Sequence, residues 1–302
     1  MVDISNCADR LRHSHYELEQ LQAKGGGMNW IIDKYLSAIW QDRRLAGLLL
    51  WPALWALWIA NHGLRSFSML FAFLLLLLLA YLTIYISIDV AQQNYHIQSI
   101  LTFTPLSKNK VTLKSAYVLF ILMVLYELLF GLFVNGLFLA LTGAAFLAAL
   151  LFQLMPDVKY KIQGFTFLSI AYVIFMPFTL VSAQMPVIAY VLALVALMIW
   201  GLNGIADRVF RLRTYFLLKF IKRDNHFLTM VVFQVIIMSL LIIVGIFDGL
   251  SVFYFLSLLG ILGIYIYERY VIQTQKIDLY SRIKTLHQSI GWIIFLGIFL
   301  GY

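Results

Sequence analysis

The stretch FSMLFAFLLLLLLAYLTIYISI, residues 67–88, runs for 22 positions without one charged side chain. At about 1.5 Å of rise per residue, a helix of that length covers about 33 Å, enough to cross a bilayer's hydrocarbon core. Working outward, segments of the same character recur at residues 45–61, 116–134, 136–155, 164–184, 186–204, 227–247, 250–267 and 286–301. With residues 67–88 they predict nine spanning helices. The composition agrees: of 302 residues, 63% are hydrophobic and 12% charged, and the mean hydropathy is +0.90. A soluble domain carries roughly twice that share of charge. These values exclude a soluble enzyme, a disordered chain and an ordinary nucleic-acid binder, and no nucleic acid is expected as a partner. Alternating ten-residue segments of the β-barrel kind are not seen. The expected fold is all-α and polytopic.

The charges set the orientation. Of the 22 Lys and Arg residues, 21 fall in the N-terminal 44 residues and in the segments 89–115, 156–163, 205–226 and 268–285, which leaves Arg65 alone on the other side. By the positive-inside rule, the N-terminus and the long loops face the cytoplasm. Nine spans then put Tyr302 on the opposite face, in a bacterial inner membrane or its equivalent. The joints Asn135-Gly136, Gln184-Met185-Pro186 and Asp248-Gly249 read as tight turns between helices on that opposite side. Residues 1–27 form a polar cytoplasmic extension with no apolar signal-peptide core. Within it, 9–23 is expected to form a short surface helix, followed by a flexible Gly25-Gly26-Gly27 joint. Residues 28–302 form the transmembrane domain. The single cysteine, Cys7, excludes an intrachain disulfide and a cysteine metal site.

With only 14 acidic residues, each can be weighed. Most lie in polar segments, where solvation accounts for them. Three stand apart. Glu127 sits inside the third span, where an ionisable group is costly and is either functional or hydrogen-bonded glue between helices. Asp89 ends the second span and Asp207 follows the sixth. Both sit at the same cytoplasmic boundary, where two facing carboxylates can hold Mg²⁺ through oxygen ligands and substrate phosphates. Around Asp207 runs the basic stretch DRVFRLRTY, residues 207–215. Arg208 and Arg211 share a helical face there, suited to lipid phosphate or to a diphosphate. The six histidines are scattered, and no Gly-rich phosphate loop, nucleophile elbow or zinc motif occurs. Trp40, Trp51, Trp55 and Trp58 around the first span are expected to form an interfacial belt with packing.

The segment LLLWPALWALW, residues 48–58, resembles the first helix of the UbiA-type 4-hydroxybenzoate polyprenyltransferases. The resemblance continues in order through the large loops after the second and sixth spans, through Asp248-Gly249-Leu250, and into the last helix at Gly291-Trp292-Ile293-Ile294-Phe295-Leu296-Gly297. It covers residues 28–302. It implies a nine-helix domain around a cavity open to lipid. It further implies an intramembrane transferase of ubiquinone synthesis that joins a polyprenyl group, from its diphosphate, to 4-hydroxybenzoate with Mg²⁺. In the first Asp-rich motif, Asp89 matches, while Gln92 and His96 stand where the family has Asp. The Pro105-Leu106 pair that follows also matches. In the second motif, Asp207-Arg208 match, while Trp200 and Arg211 stand where the family has Asp. By this resemblance Asp89 and Asp207 are the Mg²⁺ ligands, and Arg208, Arg211, Arg213 and Lys108 contact the diphosphate.

Three readings follow. The chain is a divergent prenyltransferase. Alternatively, with four of six motif acids replaced, it is a non-catalytic homologue that binds an isoprenoid or quinone lipid or a partner enzyme. The third, a small transporter, rests on Glu127 alone and lacks the broken-helix repeats of that class.

Overall fold

The computed structural model describes residues 28–41, 43–63, 67–92, 105–106, 111–154, 158–214, 224–274 and 280–302. Ten α-helices account for nearly all of them: α1 Met28–Gln41, α2 Arg43–Ala60, α3 Phe67–Gln92, α4 Leu113–Val134, α5 Gly136–Leu154, α6 Val158–Ser182, α7 Val187–Thr214, α8 Asp224–Phe247, α9 Val252–Thr274 and α10 Tyr280–Gly301. The extension 1–27, with its expected surface helix, lies outside the described residues.

The fold is all-α and integral to the membrane. The sequence predicted nine helices; the described residues hold ten, because Met28–Gln41 is a separate helix ahead of the first apolar one. Among the described residues, six helices have apolar stretches long enough to cross a bilayer: Leu70–Val90, Leu113–Val134, Gln163–Ser182, Val187–Ile205, Leu228–Phe247 and Val252–Val271. The remaining apolar helices, at Leu49–Ala60, Gly136–Phe152 and Ser289–Gly301, are shorter. The outer faces are studded with exposed Leu, Ile, Val and Phe, such as Phe133, Ile246 and Phe247. Water would penalise such a surface and hydrocarbon does not.

Successive helices pack as neighbours except α2 and α3, and α2 closes the bundle by meeting α6 and α10. Three tryptophans make that closure. Trp51 and Trp55 are buried, and the Trp55 indole N–H donates to the Gly291 carbonyl at 3.0 Å. The Trp51 ring lies 3.8 Å from that of Trp292, and Trp58 packs on Phe295 and Phe299. The expected interfacial belt is, for these three, an interior seam between the first and last apolar helices. The side chain of Trp40 is outside the described set.

The tight turns are built by their polar residues. Asn135 is the single residue between α4 and α5. Its Oδ1 accepts from the Phe138 N–H at 2.8 Å, and its Nδ2 donates to the Thr179 carbonyl near the end of α6 at 2.7 Å. One side chain thus caps the start of one helix and the end of another. Between α8 and α9, Gly249 takes φ +66°, a conformation a Cβ disfavours. Asp248 beside it meets His62 across a 3.8 Å ion-pair contact and accepts from the Tyr302 hydroxyl. Burial raises the Asp248 carboxyl from 3.8 to about 6, against the opposing pull of His62. A carboxyl raised in the folded state favours folding fully below its unfolded value, and that contribution is lost as pH rises through about 6. Thermal stability in detergent is therefore expected to fall between pH 4 and about 6. The fall should be smaller in Asp248→Asn; an equal fall in that variant would contradict the assignment.

Candidate metal and diphosphate site

Asp89 occupies the last turn of α3. The partial negative charge of the helix C-terminus disfavours a carboxylate there, so local helix chemistry does not explain its position. Tertiary contacts do. Asp89 is 1% exposed. Its Oδ2 accepts from the Tyr35 hydroxyl on α1 and from the Leu106 backbone N–H, each at 3.2 Å. Its Oδ1 is buried and has no hydrogen-bond partner among the described residues. Tyr35 is itself fully buried, packed edge-on against Tyr85 at 6.3 Å. Burial, and then the neighbouring Asp89, push its phenol above the ordinary range, so it stays a protonated donor. The Pro105-Leu106 pair, prominent in the sequence, forms a buried turn whose backbone reaches the carboxylate. Two donors thus hold one oxygen and leave the other open. A lone buried carboxylate oxygen is costly unless something positive or protic meets it, and a hard cation fits it.

Asp207 and the basic residues after it are located by backbone alone. The helix α7 runs through Thr214, so Asp207, Arg208, Arg211 and Arg213 lie on a continuation of the sixth apolar helix, where a loop was expected from residue 205. Their side chains, that of Gln92, and Lys108 and His96 altogether, fall outside the described residues. Trp200, at a position where the motif has an acid, is partly buried on α7. Among the described residues, no group of three or more His, Cys, Asp or Glu side chains is placed to hold a metal. The donor set therefore fits Mg²⁺ only as an ion held by one or two carboxylates and largely by a substrate's phosphates.

Two further buried carboxyls lie elsewhere. Glu127, on α4, accepts from Thr83 of α3 at 2.9 Å and from Tyr172 of α6 at 3.0 Å. Glu268, assigned by the sequence reading to a solvated cytoplasmic segment, is instead fully buried on α9. It accepts from the Gln234 amide of α8 at 2.8 Å. The apolar run GILGIYIY just before it (residues 260–267) was the signal that the helix continues past residue 267. Gln234→Leu removes a donor to a buried carboxyl and is expected to cost about 1–3 kcal/mol. Thermal unfolding in detergent checks this, and an unchanged midpoint would show that the contact carries no net stability.

Comparison with known proteins separates a general membrane bundle from a particular one. No family model matches the chain. It is 28% identical over 262 residues to the 4-hydroxybenzoate octaprenyltransferase of Tolumonas auensis, a match spanning 84% of this chain and 91% of that protein. It is also 28% identical to the protein of that name from Vesicomyosocius okutanii, across 84% of this chain and 95% of that one. Over most of its length the chain is similar to 4-hydroxybenzoate polyprenyltransferases. Solved structures agree at the level of fold. A digeranylgeranylglyceryl phosphate synthase superposes with a TM-score of 0.64 at 15% identity, covering 89% of this chain and 98% of that one. A UbiA homologue from Archaeoglobus fulgidus, bound to GPP and Mg²⁺, gives 0.56 at 14% identity, covering 86% and 99%. Of the residues that carried the sequence resemblance, the structure brings Asp89 and Leu106 into one hydrogen-bonded cluster with Tyr35.

Proposed function

We propose that this protein is an intramembrane prenyltransferase that moves a polyprenyl group from its diphosphate to an aromatic acceptor of the 4-hydroxybenzoate type. The carrying observation is the buried Asp89 carboxylate, with Oδ2 held by Tyr35 and Leu106 and Oδ1 free. In this reading Asp89, with Asp207 at the start of the basic stretch, holds a Mg²⁺ ion that a bound diphosphate largely coordinates. The ion supplies neutralisation of charge on the leaving diphosphate. Arg208, Arg211 and Arg213 on α7, and Lys108, contact the diphosphate oxygens. As the allylic C1–O bond breaks, its electron pair leaves with the diphosphate. A ring carbon of the acceptor bonds to C1, and the ring then loses a proton. Burial of Asp89 at the helix end keeps water from the allylic cation. In this reading the N-terminus and this site face the cytoplasm, as the positive-inside rule favours, with Tyr302 opposite, in a bacterial inner membrane.

The alternative is a non-catalytic homologue that binds an isoprenoid or quinone lipid or a partner enzyme. The residues that favour it are Gln92, His96, Trp200 and Arg211, each standing where the family's motif has an acid. Arg211 places a cation where the motif has a metal ligand. One experiment separates the two. Purified protein in lipid nanodiscs is given 4-hydroxybenzoate, a polyprenyl diphosphate and Mg²⁺. Prenylated product supports transfer; a preparation that binds the diphosphate but yields no product supports the alternative.

A further inference from the structure

The donors around Asp89 also set how its carboxylate can meet a cation. Helix α1 buries one stripe, Ile31, Tyr35 and Ala38, at the i, i+4, i+7 spacing of a helix face, and packs against α3 and α4. From that stripe the Tyr35 hydroxyl donates to Asp89 Oδ2 at 3.2 Å. The Leu106 N–H donates to the same oxygen at 3.2 Å. A carboxylate has about four lone-pair sites, shared equally by its two oxygens. Both sites on Oδ2 are therefore taken, while Oδ1 has no hydrogen-bond partner among the described residues. Neither donor has room to swing away. The Tyr35 ring is fully buried and packed edge-on against Tyr85, and Leu106 is buried in its turn.

We infer that Tyr35 determines the choice of metal: by holding Oδ2 it limits Asp89 to coordination through one oxygen, which favours Mg²⁺ over Ca²⁺. This rests on the transferase reading above, in which Asp89 is a metal ligand. Tyr35 itself touches neither metal nor substrate; it is a positioning residue that acts through Asp89. Mg²⁺ takes about six oxygens at about 2.0–2.1 Å and keeps several waters, so one carboxylate oxygen, phosphate oxygens and water complete its shell. Ca²⁺ takes about six to eight oxygens at about 2.3–2.6 Å and gains from a carboxylate that binds through both oxygens. At Asp89 the second oxygen becomes available only when the Tyr35 or the Leu106 bond breaks. Breaking a hydrogen bond to a charged acceptor lowers affinity by about tenfold or more. That penalty falls on Ca²⁺, because Mg²⁺ has no need of Oδ2.

The test uses the full chain in nanodiscs of neutral lipid, with geranyl diphosphate as the probe. Equilibrium binding of the probe is followed while Mg²⁺ or Ca²⁺ is titrated, in wild type, Tyr35→Phe and Asp89→Asn. In wild type the half-saturating Ca²⁺ concentration is expected to lie about tenfold or more above that of Mg²⁺. Tyr35→Phe keeps the buried ring and frees one lone pair of Oδ2, so this ratio should fall to about threefold or less. A purely structural role for Tyr35 would weaken both cations alike and leave the ratio where it was. An unchanged ratio in Tyr35→Phe, or equal half-saturation by the two cations in wild type, would overturn the inference. Asp89→Asn separates it from the reading beneath it. If that variant keeps the wild-type response to Mg²⁺, or if wild type binds the probe without regard to either cation, Asp89 is no metal ligand and the transferase reading loses its main support together with this inference. If Asp89→Asn loses the Mg²⁺ response while Tyr35→Phe keeps the wild-type ratio, the transferase reading stands and the inference alone falls.

Discussion

Asp89→Asn lowers the Mg²⁺-dependent affinity for a polyprenyl diphosphate, or the rate of transfer, by about 10²-fold or more. The substitution keeps the shape of the side chain, and its amide oxygen can still accept from Tyr35 and Leu106, which together hold Oδ2. What is lost is the negative charge on the buried Oδ1, which has no hydrogen-bond partner among the described residues. Binding titrations with and without Mg²⁺, in wild type and variant, check this. Asp33→Asn, on the exposed face of α1, serves as the control and should change nothing. An Asp89→Asn protein with unaltered Mg²⁺ dependence would remove the metal from this site and with it the main support for prenyl transfer.

The second large effect concerns stability. Gly291→Ala is expected to destabilise the protein by about 1–3 kcal/mol. A Cβ at Gly291 would meet Cδ1 and Cγ of Trp51 at 2.6 and 2.7 Å. Trp51 has little room to yield, because its ring already lies against Trp292. The α10 helix must draw back from α2, which also stretches the Trp55 bond to the Gly291 carbonyl. Gly263→Ala is the comparison: nothing lies within 4 Å of a Cβ there, so the gain in helix propensity should make it neutral or slightly stabilising. Thermal unfolding of both variants in the same detergent decides the matter, and equal midpoints would mean that α2 and α10 are not held by this seam.

Much of the fold was legible because membrane helices obey a simple rule: with no water to serve the backbone, a long apolar run must be helical. Residues 67–88 and the segments like them could be read one at a time. The joints were legible for local reasons too, since Asn135 and Gly249 are residue types that caps and positive φ require. Helix α1 was harder. Its sequence, MNWIIDKYLSAIWQ, is only partly apolar, and its role comes from Tyr35 reaching a residue 54 positions away. Glu268 was misplaced because a charged residue at the end of an apolar run looks like the start of a loop; its partner Gln234 is 34 residues distant and is invisible to any local pattern.

The sequence by itself determined that the chain is a helical membrane protein, and how few acids stand near its helix ends, Asp89 and Asp207 among them. Those are properties of composition, hydropathy and residue order. The tertiary structure alone decided that Asp89 keeps one oxygen open while Tyr35 and Leu106 hold the other. It alone joined Glu127 to two neighbouring helices through Thr83 and Tyr172, and turned the tryptophans of the first apolar helix into a seam against the last. Each of these depends on hydrogen bonds between residues 17 to 236 positions apart, and only packing brings such partners within a few ångströms.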